Sequence, residues 1–201
     1  MVNRTLILAV ALTATAFAVA PQAAAPARNS AATPAATLAD SMSAKLAQLS
    51  ANGKSTPPAP RTTELSQQEA NAYFAAGRLK LPAGVTNLRC EIHDGYVIGT
   101  ANVDFDKIRE GRHVTNPLLS MFTGVHDVRV QAYASGDDGQ AAVRISSASL
   151  DDVEIPRFVL DMFVKRFIQP KWPSVSLDTN FKMPAQIRTA RLQEGKLVLQ
   201  Q

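Results

Sequence analysis

Apolar positions along the chain change period several times, and each change predicts an element. Residues 6–19 are a mostly apolar run preceded by Arg4 and followed by Ala-rich sequence. Leu38, Met42, Leu46 and Leu49 then recur at helical spacing, and Asn52-Gly53 supplies a stop. Residues 55–60 contain Pro57, Pro58 and Pro60 and read as an extended linker. Ser66 followed by Glu69 is a capping box that opens a second helix, with Ala70, Tyr73 and Phe74 as its apolar stripe and Gly77 as its end.

From Leu79 onward the period falls toward two. Leu88, Cys90 and Ile92 alternate with Arg89, Glu91 and His93, and Asp94-Gly95 predicts a tight turn with both central residues at positive φ. On the return strand Val97, Gly99, Ala101, Val103 and Phe105 share one face, while Tyr96, Ile98 and Thr100 share the other. A strand apolar on both faces is covered on both or lines a ligand cavity. Residues 118–122 read as one or two helical turns stopped by Gly124, and 125–133 as a strand. Residues 135–139 read as a hairpin loop and 141–150 as the partner strand, with Val128, Val130 and Ala132 facing Ala141, Val143 and Ile145.

Pro156 is expected at the first position of a helix running to Ile168. Phe158, Val159, Met162, Phe163, Arg166 and Phe167 fall on one wide stripe of that helix, broadened by Leu160, Val164 and Ile168. Val175, Leu177, Thr179 and Phe181 form the next strand, Met183-Pro184 breaks it, and 188–192 pairs with 196–199 across Glu194-Gly195. Consecutive hairpins without βαβ alternation give an α+β class. The expected architecture is a curved antiparallel sheet of hairpins packed on one long apolar helix and a shorter N-terminal helix. No internal repeat is present.

The first segment has the three parts of a secretory signal peptide, a basic start, a short apolar run and small residues beyond it. The run is shorter than the ~20 residues that span a bilayer. Ala25-Pro26-Ala27 places cleavage before Arg28, with Ala18-Val19-Ala20 as a competing site weakened by Pro21. The expected organisation is therefore a signal peptide at 1–27, a flexible leader with a short amphipathic helix and Pro-rich linker at 28–62, and a single α+β domain at 63–201. The expected location is periplasmic or secreted.

Composition narrows the function classes. With 201 residues, 46% hydrophobic and 19% charged, the chain suits one domain with a sizeable core. A net charge of +4, from 21 Lys plus Arg against 17 Asp plus Glu, is too small for a nucleic-acid footprint but compatible with an anionic membrane surface. The single Cys90 excludes an internal disulfide and a cysteine-based zinc site.

Catalytic chemistry is thinly represented. His93 stands beside Asp94 and His126 beside Asp127, but neither has a second ligand at metal spacing, so both read as solvated turn residues; His113 has no partner motif. Cys90 lies in an alternating strand and reads as a small buried hydrophobe. Ser147 and Ser149 lack the Gly-flanked elbow of a nucleophile. Asp137-Asp138-Gly139 and Asp151-Asp152 with Glu154 lack a calcium ligand series and read as turn and strand-end residues. No Gly-rich phosphate loop and no basic segment with interleaved aromatics occurs. These readings predict no catalytic residue, no metal, no cofactor and no nucleic-acid partner.

What remains is apolar surface in excess. Phe158, Met162, Phe163 and Phe167 on the helix, with Val97, Ile98 and Val103 on the strands, are the expected ligand-binding residues for a lipid or another apolar small molecule. Arg157, Lys165, Arg166 and Lys171 bracket the same helix with charge suited to a phosphate headgroup or anionic bilayer. The alternative is an envelope scaffold or assembly factor that contacts a protein partner through the 38–49 helix or the 118–122 patch. A third reading is a hydrolase built on His93 or His126.

A resemblance accompanies these patterns. It rests on the run Glu64-Leu65-Ser66-Gln67-Gln68-Glu69-Ala70-Asn71-Ala72-Tyr73, the paired strands, Val153-Glu154-Ile155-Pro156 opening an apolar helix, and Phe181-Lys182-Met183-Pro184-Ala185-Gln186-Ile187 before the last hairpin. In these the chain resembles small bacterial envelope proteins related to the tubular lipid-binding (TULIP-like) superfamily, over 63–201. The resemblance implies lipid binding in an apolar groove between a long helix and a curved antiparallel sheet, and it implies no particular ligand residue.

Overall fold

In the computed structural model, which describes residues 34–110, 122–170 and 173–201, the chain is a mixed α+β protein built on a large antiparallel sheet. The expected signal peptide at 1–27, His113, Lys171 and the 118–122 turns up to Phe122 lie outside the described residues. The elements in chain order are α1 (Pro34–Asn52), β1 (Thr62–Ser66), α2 (Gln67–Ala75), β2 (Val85–His93), β3 (Tyr96–Asp104), α3 (Phe105–Arg109), β4 (Val125–Asp137), β5 (Gln140–Leu150) and β6 (Val153–Glu154). They continue with α4 (Arg157–Phe163), which runs directly into a π-helical turn (Val164–Ile168), then β7 (Asp178–Lys182), β8 (Thr189–Gln193) and β9 (Lys196–Gln200). The strand order is β1-β9-β8-β4-β3-β2, with β5 also on β4, and β6 and β7 on β5.

Tight turns set the register of this sheet. Asp138 and Gly139 both take positive φ, 46° and 77°, and so do Asp151 and Asp152, 46° and 65°. These are the mirror-image turns whose twist matches a two-residue hairpin. β4 therefore continues to Asp137 instead of breaking at Ser135, which moves the pairing from that expected. Val128, Val130 and Ala132 face Leu150, Ala148 and Ile145, while Val143 and Ala141 face Ala134 and Gly136. Ser146 is left over between two consecutive pairs, and its hydroxyl donates to the Gln131 carbonyl at 3.1 Å. This one-residue bulge switches parity, so that Ala141, Val143, Ile145, Ala148 and Leu150 all face the same way. At Asp94-Gly95, by contrast, only Gly95 takes positive φ, and the Asp94 carboxylate accepts from the Glu194 amide at 3.0 Å.

The α2 termini follow the sequence closely. The Ser66 hydroxyl accepts from the Glu69 amide at 3.2 Å while the Glu69 carboxylate accepts from the Ser66 amide at 2.9 Å. At the other end Gly77 has φ 66°, its amide donates to the Phe74 carbonyl, and the Arg78 amide reaches back to Tyr73. That pair of bonds is a Schellman closure, which needs a residue tolerant of the left-handed region.

The described part of the expected leader, residues 34–62, packs against the rest of the chain. Ala39, Met42 and Leu49 of α1 are buried, and β1 pairs with β9 from Thr62 to Ser66. The Gln201 side chain donates to the carbonyls of Leu49 and Ala185, and Gln186 donates to those of Gly53 and Ser55. Apart from the Gln201 bond to Ala185, these contacts join segments more than a hundred residues apart, which no local pattern reveals.

Glu69 is the polar anchor between α1 and α2. Its carboxylate accepts from Lys45 at 2.8 Å, Ser41 at 2.5 Å and the Ser66 hydroxyl at 3.0 Å. Burial alone pushes this carboxyl up, but the donors from Lys45, Ser41 and Ser66 together outweigh it and hold the pKa at about 2. A depressed pKa contributes stability that is present above the ordinary 4.5 and is lost as pH falls toward 2. In urea titrations Glu69→Gln is expected to cost roughly 2–3 kcal/mol at pH 7, with the difference from the unmutated chain shrinking below pH ~4.5.

Two apolar clusters stand on one face of the sheet. The first gathers Met42, Leu49, Tyr73, Phe74, Ile92, Val97 and Leu197; the second gathers Val103, Phe105, Phe122, Leu150, Phe163 and Phe167. The helix over the second cluster differs from the expected one. Pro156 is the N-cap, with an extended ψ of 138°, because the next-door Ile155 amide is still bonded to the Ala148 carbonyl of the sheet. The helix is also shorter than α1, at 7 α-helical residues plus 5 in the π turn against 19. Val159, Phe163 and Phe167 recur every four residues, as do Leu160, Val164 and Ile168. A regular α-helix, with 3.6 residues per turn, carries such a stripe progressively round its axis. The π turn holds more residues per turn and brings the stripe back toward the sheet.

Candidate ligand-binding site

Cross-strand pairing arranges the inner face of β2 to β5 in rows. One row, Ile92, Val97, Ala132 and Ile145, lies with the first cluster, and another, Ala101, Val128 and Leu150, lies with the second. Between them runs a row that starts at Cys90, the edge of the first cluster, and continues through Gly99, Val130 and Ala148. These are small side chains, so the sheet is lowest where the two clusters leave a gap.

A cavity of about 190 Å³ occupies that gap, with the middle row as its floor and Leu160, Phe163, Val164 and Ile168 across from it. An apolar cavity of ~150 Å³ stays dry and takes up benzene. Phe74 of α2 and Phe105 of α3 also contribute to the wall. Polar side chains are nearly absent. Arg89 and Thr100 contact the cavity but are a cross-strand pair in the opposite parity to Cys90 and Gly99, so their side chains project from the outer face. The Ser176 hydroxyl is already committed to the Asp178 carbonyl. A guest here meets carbon and one thiol, with no side-chain donor or acceptor awaiting a partner among the described residues.

Of the residues expected to bind ligand, Val97, Val103 and Phe163 line the cavity. Phe167 is only 1% exposed and lies tilted against Phe163 at 5.0 Å, part of the second cluster and not of the cavity wall. Met162 packs partly buried against that cluster and is not at the cavity wall. Phe158 points outward, 59% exposed. Ile98 is buried on the other face of the sheet, opposite Glu91 and Gln131, because strand alternation turns it away from Val97 and Gly99. Among the lining residues outside the expected set are Gly99, Val130 and Ala148 of the floor, whose only signal is small size at positions that the pairing register brings side by side.

The titratable groups are engaged structurally. Burial, and then the Glu91 charge, push the Cys90 thiol up to about 12, so it is a poor nucleophile despite lining the cavity. His93 stacks on Tyr96 at 4.8 Å and its Nδ1 lies 3.3 Å from Glu194. His126 pairs with Asp151, not with the adjacent Asp127: Nδ1 lies 2.6 Å from the Asp151 carboxylate and Nε2 2.5 Å from the Thr123 carbonyl. Both ring nitrogens therefore face acceptors, which the doubly protonated ring satisfies. The Asp151 hydrogen bond raises the His126 pKa against an opposing effect of burial, helped by the Thr123 carbonyl and the charges of Asp151 and Asp106. A raised pKa contributes stability that is complete below the ordinary 6.5 and is lost as pH rises through the shifted value. Thermal unfolding followed from pH 6 to 9 is expected to show this loss in the unmutated chain and not in His126→Asn.

No group of three or more His, Cys, Asp and Glu among the described residues is placed to hold a metal ion. No helix among them is long and apolar enough to cross a membrane. The chain has no significant match among protein-family models, curated proteins or solved structures.

Proposed function

We propose that this chain is an exported, non-enzymatic binding protein that holds the hydrocarbon part of a lipid or another apolar ligand in the gap between α4 and the sheet. The observation that carries this reading is a cavity of about 190 Å³ walled almost entirely by carbon. Burying a polar ligand group without a partner costs about 1–3 kcal/mol on mutational scales, so such a wall favours hydrocarbon. In this reading the sheet curves round the ligand, the π-helical stripe is its cover, and the polar end of an amphiphile stays outside. The likeness of 63–201 to tubular lipid-binding proteins points to the same ligand class. Export rests on the apolar run at 6–19 and the small residues after it.

The rival readings have less support. A scaffold acting through the 38–49 helix needs that helix's apolar face free, and Ala39, Met42 and Leu49 are buried. A hydrolase needs a ring nitrogen available to substrate: both nitrogens of His126 are engaged, and His93, with Nδ1 beside Glu194, stands at the surface away from the cavity lining. Contact with an anionic membrane through Arg157 and Lys165 competes with their ion pairs to Asp178 and Asp161, each at 2.6 Å.

The test is mass spectrometry of organic extracts of the purified protein, together with titration by the fluorescent fatty acid 11-(dansylamino)undecanoic acid. The expected result is a copurified amphiphile or a saturable, blue-shifted one-to-one titration. The absence of both an extractable ligand and saturable binding overturns the proposal.

A further inference from the structure

The described glycines divide by what a side chain would meet. Gly77, Gly84, Gly95, Gly124, Gly139 and Gly195 all have positive φ, where a side chain is strained. A Cβ on Gly53 would collide with the Ala185 backbone, and one on Gly136 would lie 2.7 Å from the Met183 sulfur. Gly99 has neither reason. Its φ is ordinary for a strand, and a Cβ built on it meets no atom within 4 Å.

Glycine in a strand interior weakens the strand through its unfolded-state entropy and its missing packing. A position with ordinary backbone and empty space above it is where a larger side chain stabilises a fold that has nothing else to accommodate. Here that empty space is the middle of the cavity floor, between Cys90 and Val130.

Resting on the binding reading above, we infer that the site takes a single unbranched hydrocarbon chain, and that Gly99 is the specificity-determining residue that sets how far the chain enters. Shape argues for one chain. The floor from Cys90 to Ala148 crosses three strand spacings, about 14 Å at ~4.8 Å each, room for one extended hydrocarbon chain in a cavity of about 190 Å³. The volume falls below the ~300–1,000 Å³ of clefts that hold drug-sized ligands, which favours one chain over two acyl tails or a fused-ring system. The one charged residue at the wall, Arg89, belongs to the outer face by strand parity, so discrimination falls on the length and thickness of the chain. Residue 99 is where the slot has room to be deeper or shallower.

The test is a size series, Gly99→Ala, Gly99→Val and Gly99→Leu, read by thermal unfolding and by binding of 11-(dansylamino)undecanoic acid. Octanoate, dodecanoate, hexadecanoate and cholesterol hemisuccinate serve as competitors. The expected result is that Gly99→Ala and Gly99→Val unfold at the same or a higher temperature than the unmutated chain. Probe affinity is expected to fall stepwise, by roughly tenfold or more at Gly99→Leu, since one methylene in an apolar pocket shifts affinity about 10–200-fold. The preferred competitor should shorten as residue 99 grows, and the fused-ring sterol should compete poorly throughout. Unmutated protein that neither binds the probe nor yields an extractable ligand sinks the binding reading itself. Unmutated protein that binds, beside a folded Gly99→Leu that binds equally well, overturns the assignment of Gly99 alone, as does a lowered unfolding temperature for Gly99→Ala. Equal competition by the sterol overturns the single-chain ligand.

Discussion

Replacement of Phe163 by alanine is expected to lower the free energy of unfolding by about 3–4 kcal/mol, the range for deleting a buried aromatic ring. Phe163 is 6% exposed, and its ring centroid lies 5.5 Å from Phe105 in an edge-on arrangement, 4.5 Å from Phe122 and 5.0 Å from Phe167. Removing it strips the hub from this aromatic cluster, and such ring pairs add ~0.5–1.5 kcal/mol each beyond their buried area. Because Phe163 also lines the cavity, the void left behind joins the slot and should admit thicker ligands. Phe158→Ala is the matched control: with that ring mostly in solvent, the change is expected within about 0.5 kcal/mol. Urea denaturation of the two variants separates the buried stripe of α4 from its exposed side.

The second large effect is expected at the junction of α1 with the C-terminal hairpin. A Cβ on Gly53 would lie 2.5 Å from the Ala185 Cα and 2.6 Å from its carbonyl carbon. Those are backbone atoms in a turn where Ala185 and Gln186 both take positive φ, so they cannot rotate aside as a side chain does. Gly53→Val therefore separates α1 from the 183–187 turn, weakens the Gln186 bonds to Gly53 and Ser55, and is expected to cost about 3 kcal/mol, the upper range for overpacking. Trypsin provides the readout, because undocking α1 frees the connection that carries Lys54 and Arg61. Ala47→Ser, at an exposed position of the same helix, should leave both stability and cleavage unchanged.

Local chemistry in this sequence was legible and long-range chemistry was not. Ser66, Glu69 and Gly77 announced both ends of α2 because capping is a matter of three or four neighbouring residues. The alternation of β3 correctly grouped Val97 with Val103, yet Ile98 was assigned to the same site because apolarity alone does not say which face of a strand is covered. In 156–168 the stripe was too wide to distinguish Phe158 from Phe163; the choice depends on how Pro156 sets the helix on the sheet and on the π turn that follows. The pairing of β1 with β9 and the docking of α1 depend on partners such as Gln201 and Ala185, which no windowed pattern connects to residue 49. The floor of the cavity was hidden for a related reason. Cys90, Gly99, Val130 and Ala148 are unremarkable one at a time and form a depression only when the Asp138-Gly139 turn and the Ser146 bulge align them.

A crystal structure of the protein in complex with 12-bromododecanoic acid tests the central claim most directly, because anomalous scattering locates the bromine at the end of the chain. The account predicts one bromine peak inside the slot, over Gly99 and between Cys90 and Val130, with the carboxylate outside. Bromine only at the surface, above an empty slot, would contradict it.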